Sequence, residues 1–383
     1  MSFRLAIVAG EPSGDALGAA IVRALREREP ALSLVGVGGP ALQSAGLDTL
    51  FDPDEIAIVG VTAVLARLPR LVRLIGDTAR RIAAADPDVV VLIDSPDFTH
   101  RVAAKLRVRR PELPIVKVVA PTVWAWRPER AGALRPLVDE VLAIFPHEPE
   151  WMARLGGPPT TFIGHPLMDE PRLQRSTAAA TEPNLLVLPG SRRSEIERLA
   201  PIFGEALGVL QRRGVAFRPV LPMLERRAGL IGRVTAKWPV AANVVVGEEA
   251  RFAAFRTGRA AIAASGTVTL ELALANVPTV AAYRIDALER QIAKRITAWA
   301  MAMPNIIADR VVVDELLNDT VRPERIARLT ERLLADTPER TAQLDGFEEV
   351  RRRLRTERPA AENAADRILD LANDGRQRRS MGT

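Results

Sequence analysis

The chain has 383 residues, with 48% AVILMFWYC, 26% charged side chains and no cysteine. That length suits two or three domains, and the ordinary globular composition excludes intrinsic disorder and collagen-like or low-complexity architectures. The missing cysteines exclude disulfide scaffolds, thiolate metal sites and a cysteine nucleophile. The net charge of +6 comes from 49 arginines against four lysines, Lys105, Lys117, Lys237 and Lys294. Guanidinium-rich surfaces suit phosphates, so nucleotides, nucleic acid and acidic membranes are all admitted as partners.

In chain order, Arg4 to Ala9 is a short β-branched run that ends at Gly10 and precedes a helical pattern from Asp15 to Arg28, a strand–loop–helix unit. Further buried strands are expected at Leu32 to Val37, Val89 to Ile93, Ile115 to Val119 and Glu140 to Ile144. A polar, proline-bracketed stretch over 169–183 reads as a linker. The alternation restarts with strands at Asn184 to Leu188, Phe217 to Leu221, Val244 to Val246, Ala260 to Ala263 and Thr279 to Ala282. The expected fold is therefore α/β: two doubly wound, Rossmann-like domains, 1–168 and 184–345. Helices over 346–374 could pack back on the first domain, and 375–383 reads as a disordered basic tail. No run of about 18 apolar residues spans a membrane, and the opening MSFRLAIVAGEPSGD lacks a signal-peptide layout, so a cytoplasmic protein is expected.

Ligands of open α/β sheets lie beyond the carboxyl ends of strands, which directs attention to the loops there. After the first strand, Gly10-Glu11-Pro12-Ser13-Gly14-Asp15 offers two carboxylates beside a helix start; simple capping is the alternative role. Asp94-Ser95-Pro96-Asp97-Phe98 follows another strand, and one of its carboxylates could act as a general base or merely cap a helix. Trp124 and Trp126, beside Arg127, could stack on a sugar or pack a domain edge. His100, His147 and His165 have no metal-ligand spacing, so no metal is expected.

In the second half, Gly190, Ser191 and Arg192 follow a strand, and so do Ser265, Gly266 and Thr267, with Glu271 one turn further along. Two glycine-containing turns at strand ends of one domain favour a nucleotide diphosphate, its ribose on Glu271. Val61 to Ile82 reads as a basic amphipathic helix whose apolar residues fall within roughly 100° of arc, opposite Arg67, Arg70, Arg73, Arg80 and Arg81. Leu74 falls on the basic side, as an exposed apolar residue.

The ordered set AGEPSGD (Ala9 to Asp15), PDF (Pro96 to Phe98), VWAWR (Val123 to Arg127), GHPL (Gly164 to Leu167), LPGSR (Leu188 to Arg192), SGTVTLE (Ser265 to Glu271) and MPNIIA (Met303 to Ala308) resembles the lipid-A-disaccharide synthase family. The resemblance implies a GT-B fold, two Rossmann-like domains facing a central cleft. It implies an inverting hexosyltransferase that joins UDP-2,3-diacylglucosamine to 2,3-diacylglucosamine 1-phosphate (lipid X), giving the β(1→6) disaccharide and UDP. It also implies peripheral contact with the cytoplasmic face of the inner membrane and no metal or cofactor. By residue, the resemblance makes Asp97 the base, with Glu11, Asp15 and Asp94 as competing carboxylates. Gly190, Ser191, Arg192, Ser265, Gly266, Thr267 and Asn305 would take the diphosphate, and Glu271 the ribose. His147, Thr99 and Asp314 stand where Phe, Asn and Pro are usual, which bears on the acceptor contacts. The competing readings are another GT-B enzyme of UDP-sugars, a soluble glycosyltransferase or a UDP-N-acetylglucosamine 2-epimerase, and, from a different class, an RNA- or nucleotide-binding protein. A homo-oligomer is compatible with the sequence.

Overall fold

The computed structural model describes residues 3–56, 61–173, 183–223, 228–285 and 296–381. They form two compact units: one up to Pro166 and again from Thr356, the other from Leu167 to Arg355. The expected linker lies mostly outside the described residues, with Pro166–Asp169 and Pro171–Leu173 forming short 3-10 turns at its start.

In the first unit, β1 (Arg4–Ala9), β2 (Ser33–Val37), β3 (Val89–Ile93), β4 (Ile115–Val118), β5 (Glu140–Ala143) and β6 (Thr160–Phe162) make a parallel sheet in the order β2-β1-β3-β4-β5-β6. Side chains alternate between faces along a strand, and both faces are covered, so β3 is apolar throughout and β1 is apolar from Leu5 onward. Leu5, Ile7, Val91 and Ile93 join one core with α1 (Pro12–Arg28). Ala6, Val8, Val90 and Leu92 join the other, with α3 (Val61–Ala85) and α4 (Pro96–Arg109). Between these lies α2 (Pro40–Ser44), and α5 (Glu129–Leu134) and α6 (Glu148–Arg154) follow.

The second unit orders β7 (Asn184–Leu188), β8 (Arg218–Met223), β9 (Asn243–Val246), β10 (Gly258–Ala264), β11 (Thr279–Tyr283) and β12 (Asp314–Leu317) as β12-β11-β10-β7-β8-β9, again all parallel. This is the Rossmann strand order, which reverses direction between its first and fourth strands. Among the described residues its helices are α7 (Arg193–Arg212), α8 (Ala228–Thr235), α9 (Glu248–Thr257), α10 (Thr267–Leu274), α11 (Met303–Ala308), α12 (Pro323–Leu334) and α13 (Pro338–Leu354).

The last helix, α14 (Ala360–Met381), returns to the first unit, where Ala364, Ala365, Ile368 and Ala372 are buried. Two expectations need correction. Of the stretch 346–374 expected to pack back on the first domain, residues 346–354 lie in α13, which belongs to the second unit; only α14 returns. The tail expected to be disordered from Gly375 continues as helix to Met381. Arg376 explains why: it pairs with Asp88 at 2.8 Å and lies over the Phe3 ring at 5.3 Å, so the basic end has specific partners.

The amphipathic helix at Val61–Ala85 forms as expected, but its faces divide differently. Leu74, Ile75, Ala79 and Ile82 are buried, whereas Leu68 and Val72 are 39% and 51% exposed. Leu74, expected on the exposed side, is turned into the core because the buried face is wider than the apolar arc assigned to it. The side chains of Val61, Val64 and Leu65 lie outside the described residues.

Candidate active site

In the first unit, strand order reverses between β1 and β3, and the loops after these strands bring Glu11 and Asp94 to one sheet end. Asp94 and Ser95 both take left-handed backbone, φ 49° and 42°, a conformation costing non-glycine residues of order 1 kcal/mol or more. Ser95 is the N-cap of α4, so this turn sets where Asp97, in the helix's first turn, is presented. The Asp97 carboxylate is 86% exposed and lies 3.3 Å from Arg130. Burial, with the Asp94 carboxylate adding to it, pushes the Glu11 pKa above the ordinary carboxylate range, while Lys117 pulls it down.

Asp15, a candidate catalytic carboxylate, has a different occupation. It is 6% exposed and accepts from the amides of Gly39 and Ala41 at 2.8 Å and Leu42 at 3.1 Å. A carboxylate at a helix N-terminus with three amide donors is a structural anion, here for α2, and its oxygens are taken up by those amides. The VWAWR tryptophans separate. Trp124 is buried edge-on to His147 at 5.0 Å, while Trp126 is half-buried beneath Arg127. Beside Trp124, Glu148 is fully buried, and burial pushes its pKa up to about 8, against the amide of Phe145 at 3.1 Å.

In the second unit, the loops after β7 and β10 flank that sheet's own reversal point and enclose a pocket of about 410 Å³. Gly190, Ser191, Arg192, Ser265, Gly266, Thr267 and Glu271 all line it, so one cavity gathers the expected donor residues apart from Asn305. Gly190 and Gly266 have φ 110° and 147°, which side-chain-bearing residues rarely adopt, so the sharp turn out of each strand depends on glycine.

Two lining residues escaped the sequence reading. Arg251, on α9, clamps Glu271 on α10 at 2.7 and 2.9 Å, and its guanidinium lies 4.8 Å over Phe252. Nothing in the string Glu248 to Arg256 sets it apart from the other arginines. Glu195 folds back so that Oε2 accepts from the amides of Ser191 (3.2 Å) and Arg192 (3.3 Å), and Oε1 from the Arg192 guanidinium (3.2 Å). The amides expected to bind phosphate thus already hold an anion.

Asn305, expected on the diphosphate, is 1% exposed. Its Oδ1 accepts from the amides of Val312 (2.7 Å) and Val313 (2.8 Å), and its Nδ2 donates to the Val313 carbonyl at 2.9 Å. It braces the strand-entry loop and is not a pocket residue. Glu315 accepts from the amides of Met301 and Ala302, just ahead of α11, and from Ser265 Oγ at 3.1 Å, linking that segment to the pocket wall.

The family model for lipid-A-disaccharide synthetase matches residues 5–369. The chain belongs to the lipid-A-disaccharide synthase family. It is 46% identical over 381 residues to the lipid-A-disaccharide synthase of Rhodopseudomonas palustris strain BisB18, covering 96% of this chain and 95% of that one. It is 44% identical to that of Nitrobacter hamburgensis, covering 98% and 97%. Among solved structures it resembles Acinetobacter baumannii MurG (TM-score 0.59, 15% identity, 96% and 99% covered). It also resembles Staphylococcus aureus MnaA in its UDP co-structure (TM-score 0.63, 14% identity, 96% and 95% covered). These distant likenesses establish the GT-B fold. As a member of this family the chain is a hexosyltransferase of lipid A disaccharide synthesis, acting on a sugar nucleotide and lipid X.

Proposed function

We propose that Asp97 is the general base of this reaction and that the pocket between the β7 and β10 loops holds the UDP leaving group. The observation that carries the reading is the gathering of seven expected donor residues around one cavity of about 410 Å³, a volume in the range of small-molecule sites. Inversion needs a single displacement: the base takes the proton of the acceptor 6-hydroxyl, the new C–O bond forms at the anomeric carbon, and UDP leaves with the bonding pair. Asp97 suits the first task because its carboxylate is exposed beside Arg130, in the first turn of α4 directly after the Asp94–Ser95 turn. Arg192 and the Ser191 and Gly266 loop amides suit the second, since charge-assisted donors stabilise a departing diphosphate without a metal. The Arg251-held Glu271 is assigned to the ribose hydroxyls.

The same reading places the enzyme at the cytoplasmic face of the inner membrane, in peripheral contact with it. Both substrates are acylated, and exposed Leu68 and Val72 stand among exposed Arg67, Arg70 and Arg73 on α3. That pairs apolar side chains with cations that can meet anionic headgroups. No helix of the described residues is long and apolar enough to cross a membrane. The test of the function is UDP release measured with and without lipid X. Lipid-dependent release is expected; release independent of lipid X, or epimerisation of UDP-N-acetylglucosamine, would overturn the reading.

A further inference from the structure

Lys117 is 1% exposed, on a strand in the middle of the first unit's sheet. Its β4 neighbours Val116 and Val118 pack in one core, and alternation turns Lys117 to the other face, toward α4. Its Nζ donates to the backbone carbonyl of Asp94 and lies 3.4 Å from Thr99 Oγ1. The Thr99 hydroxyl donates to that same carbonyl at 2.9 Å. The carbonyl belongs to the first of the two left-handed residues that deliver Asp97. The carboxylates of Asp94 and Glu11 are near enough to act on the lysine electrostatically, and burial pulls its pKa down to about 7.

A buried cation in a sheet core is a poor means of stabilisation, since an apolar side chain of similar volume is often as good or better. Two donors converging on one carbonyl of a strained turn are suited to fixing geometry instead. We infer that Lys117 is a positioning residue for the glycosyl transfer, holding the Asp94–Ser95 turn so that Asp97 is presented to the acceptor. This rests on the reading of Asp97 as base. It asks nothing of the donor pocket, so the lysine's influence should appear in turnover and not in nucleotide binding.

The experiment compares Lys117→Met, Thr99→Val and Asp97→Asn with the wild-type full chain by UDP release, UDP titration calorimetry and thermal melting. For Lys117→Met we expect kcat to fall at least tenfold, with the UDP Kd and the donor KM within twofold and the Tm no lower than wild type. A kcat within threefold of wild type, or a Tm loss accompanied by weakened UDP binding, would overturn the inference, because the lysine would then be dispensable or merely structural. If Lys117→Met does not fold, Thr99→Val decides: it removes the second donor to the same carbonyl and leaves all charges in place. A kcat loss of at least threefold at unchanged UDP affinity supports the inference, and unchanged kcat refutes it. An inactive Asp97→Asn beside a fully active Lys117→Met defeats the inference alone; an active Asp97→Asn defeats the reading beneath it.

Discussion

Glu195 rests its carboxylate on the backbone of Arg192, 3.3 Å from that amide, and on the Arg192 guanidinium at 3.2 Å, inside the loop assigned to the UDP diphosphate. A diphosphate reaching these donors competes with an anion already bound. Glu195→Gln keeps the side chain's shape and removes its charge. We expect the UDP Kd to tighten about threefold to tenfold, corresponding to about 0.7–1.4 kcal/mol, and the Tm to fall because a helix-start anion is lost. Calorimetric titration and thermal melting check both signs.

Arg251 lines the pocket and gives Glu271 two hydrogen bonds under 3 Å. Removing it leaves a mostly buried carboxylate without its partner and free to turn from the ribose. Arg251→Ala should raise the donor KM about tenfold while changing kcat less. Arg251→Lys should recover only part of that, since an ammonium cannot copy the guanidinium's reach over Phe252. Initial-rate kinetics in donor concentration separate the two constants.

The pH dependence of stability should carry a signature of Glu148. Its carboxyl holds its proton in the folded protein up to about 8, against 4.5 for the ordinary side chain. Between these values the native state binds more protons than the unfolded chain, so this group's contribution is full below about 4.5 and is lost as the pH rises through about 8. Glu148→Gln cannot ionise. The difference in Tm, variant minus wild type, should therefore grow from pH 5 to pH 8 by at least about 3 °C. A constant difference would contradict this assignment.

The exposed part of α3 predicts a salt-sensitive membrane contact. Arg70 is bound by the Glu55 carboxylate at 2.7 and 3.0 Å, so Arg67 and Arg73 should carry more of the headgroup attraction. Reversing both to Glu should weaken sedimentation with anionic vesicles at low salt, with little effect on neutral vesicles. Equal sedimentation with both vesicle types would count against the interfacial role.

The sheet cores were legible in the sequence because a strand buried on both faces reads as an unbroken apolar run: β1, β3 and β7 lie where Arg4 to Ala9, Val89 to Ile93 and Asn184 to Leu188 predict. The edge strands β6 and β12 escaped, because TTF is three residues long and DELL begins with two carboxylates. The donor pocket was legible through its glycine turns, which have a local signature. Arg251 and Glu195 were not, since their roles arise from contacts with residues on another helix or a preceding loop. Asp15 and Asn305 show the opposite failure: a polar residue in a functional-looking string was assigned to substrate, while the fold uses it to satisfy its own buried amides.

The Asp97 carboxylate is assigned the acceptor's proton. Asp97→Asn preserves the side chain's size and abolishes its basicity, so single-turnover formation of the disaccharide, with saturating donor and lipid X, tests it directly. A rate loss of about 10²-fold or more with UDP affinity within twofold of wild type is the predicted result; a variant that forms disaccharide near the wild-type rate would contradict the account.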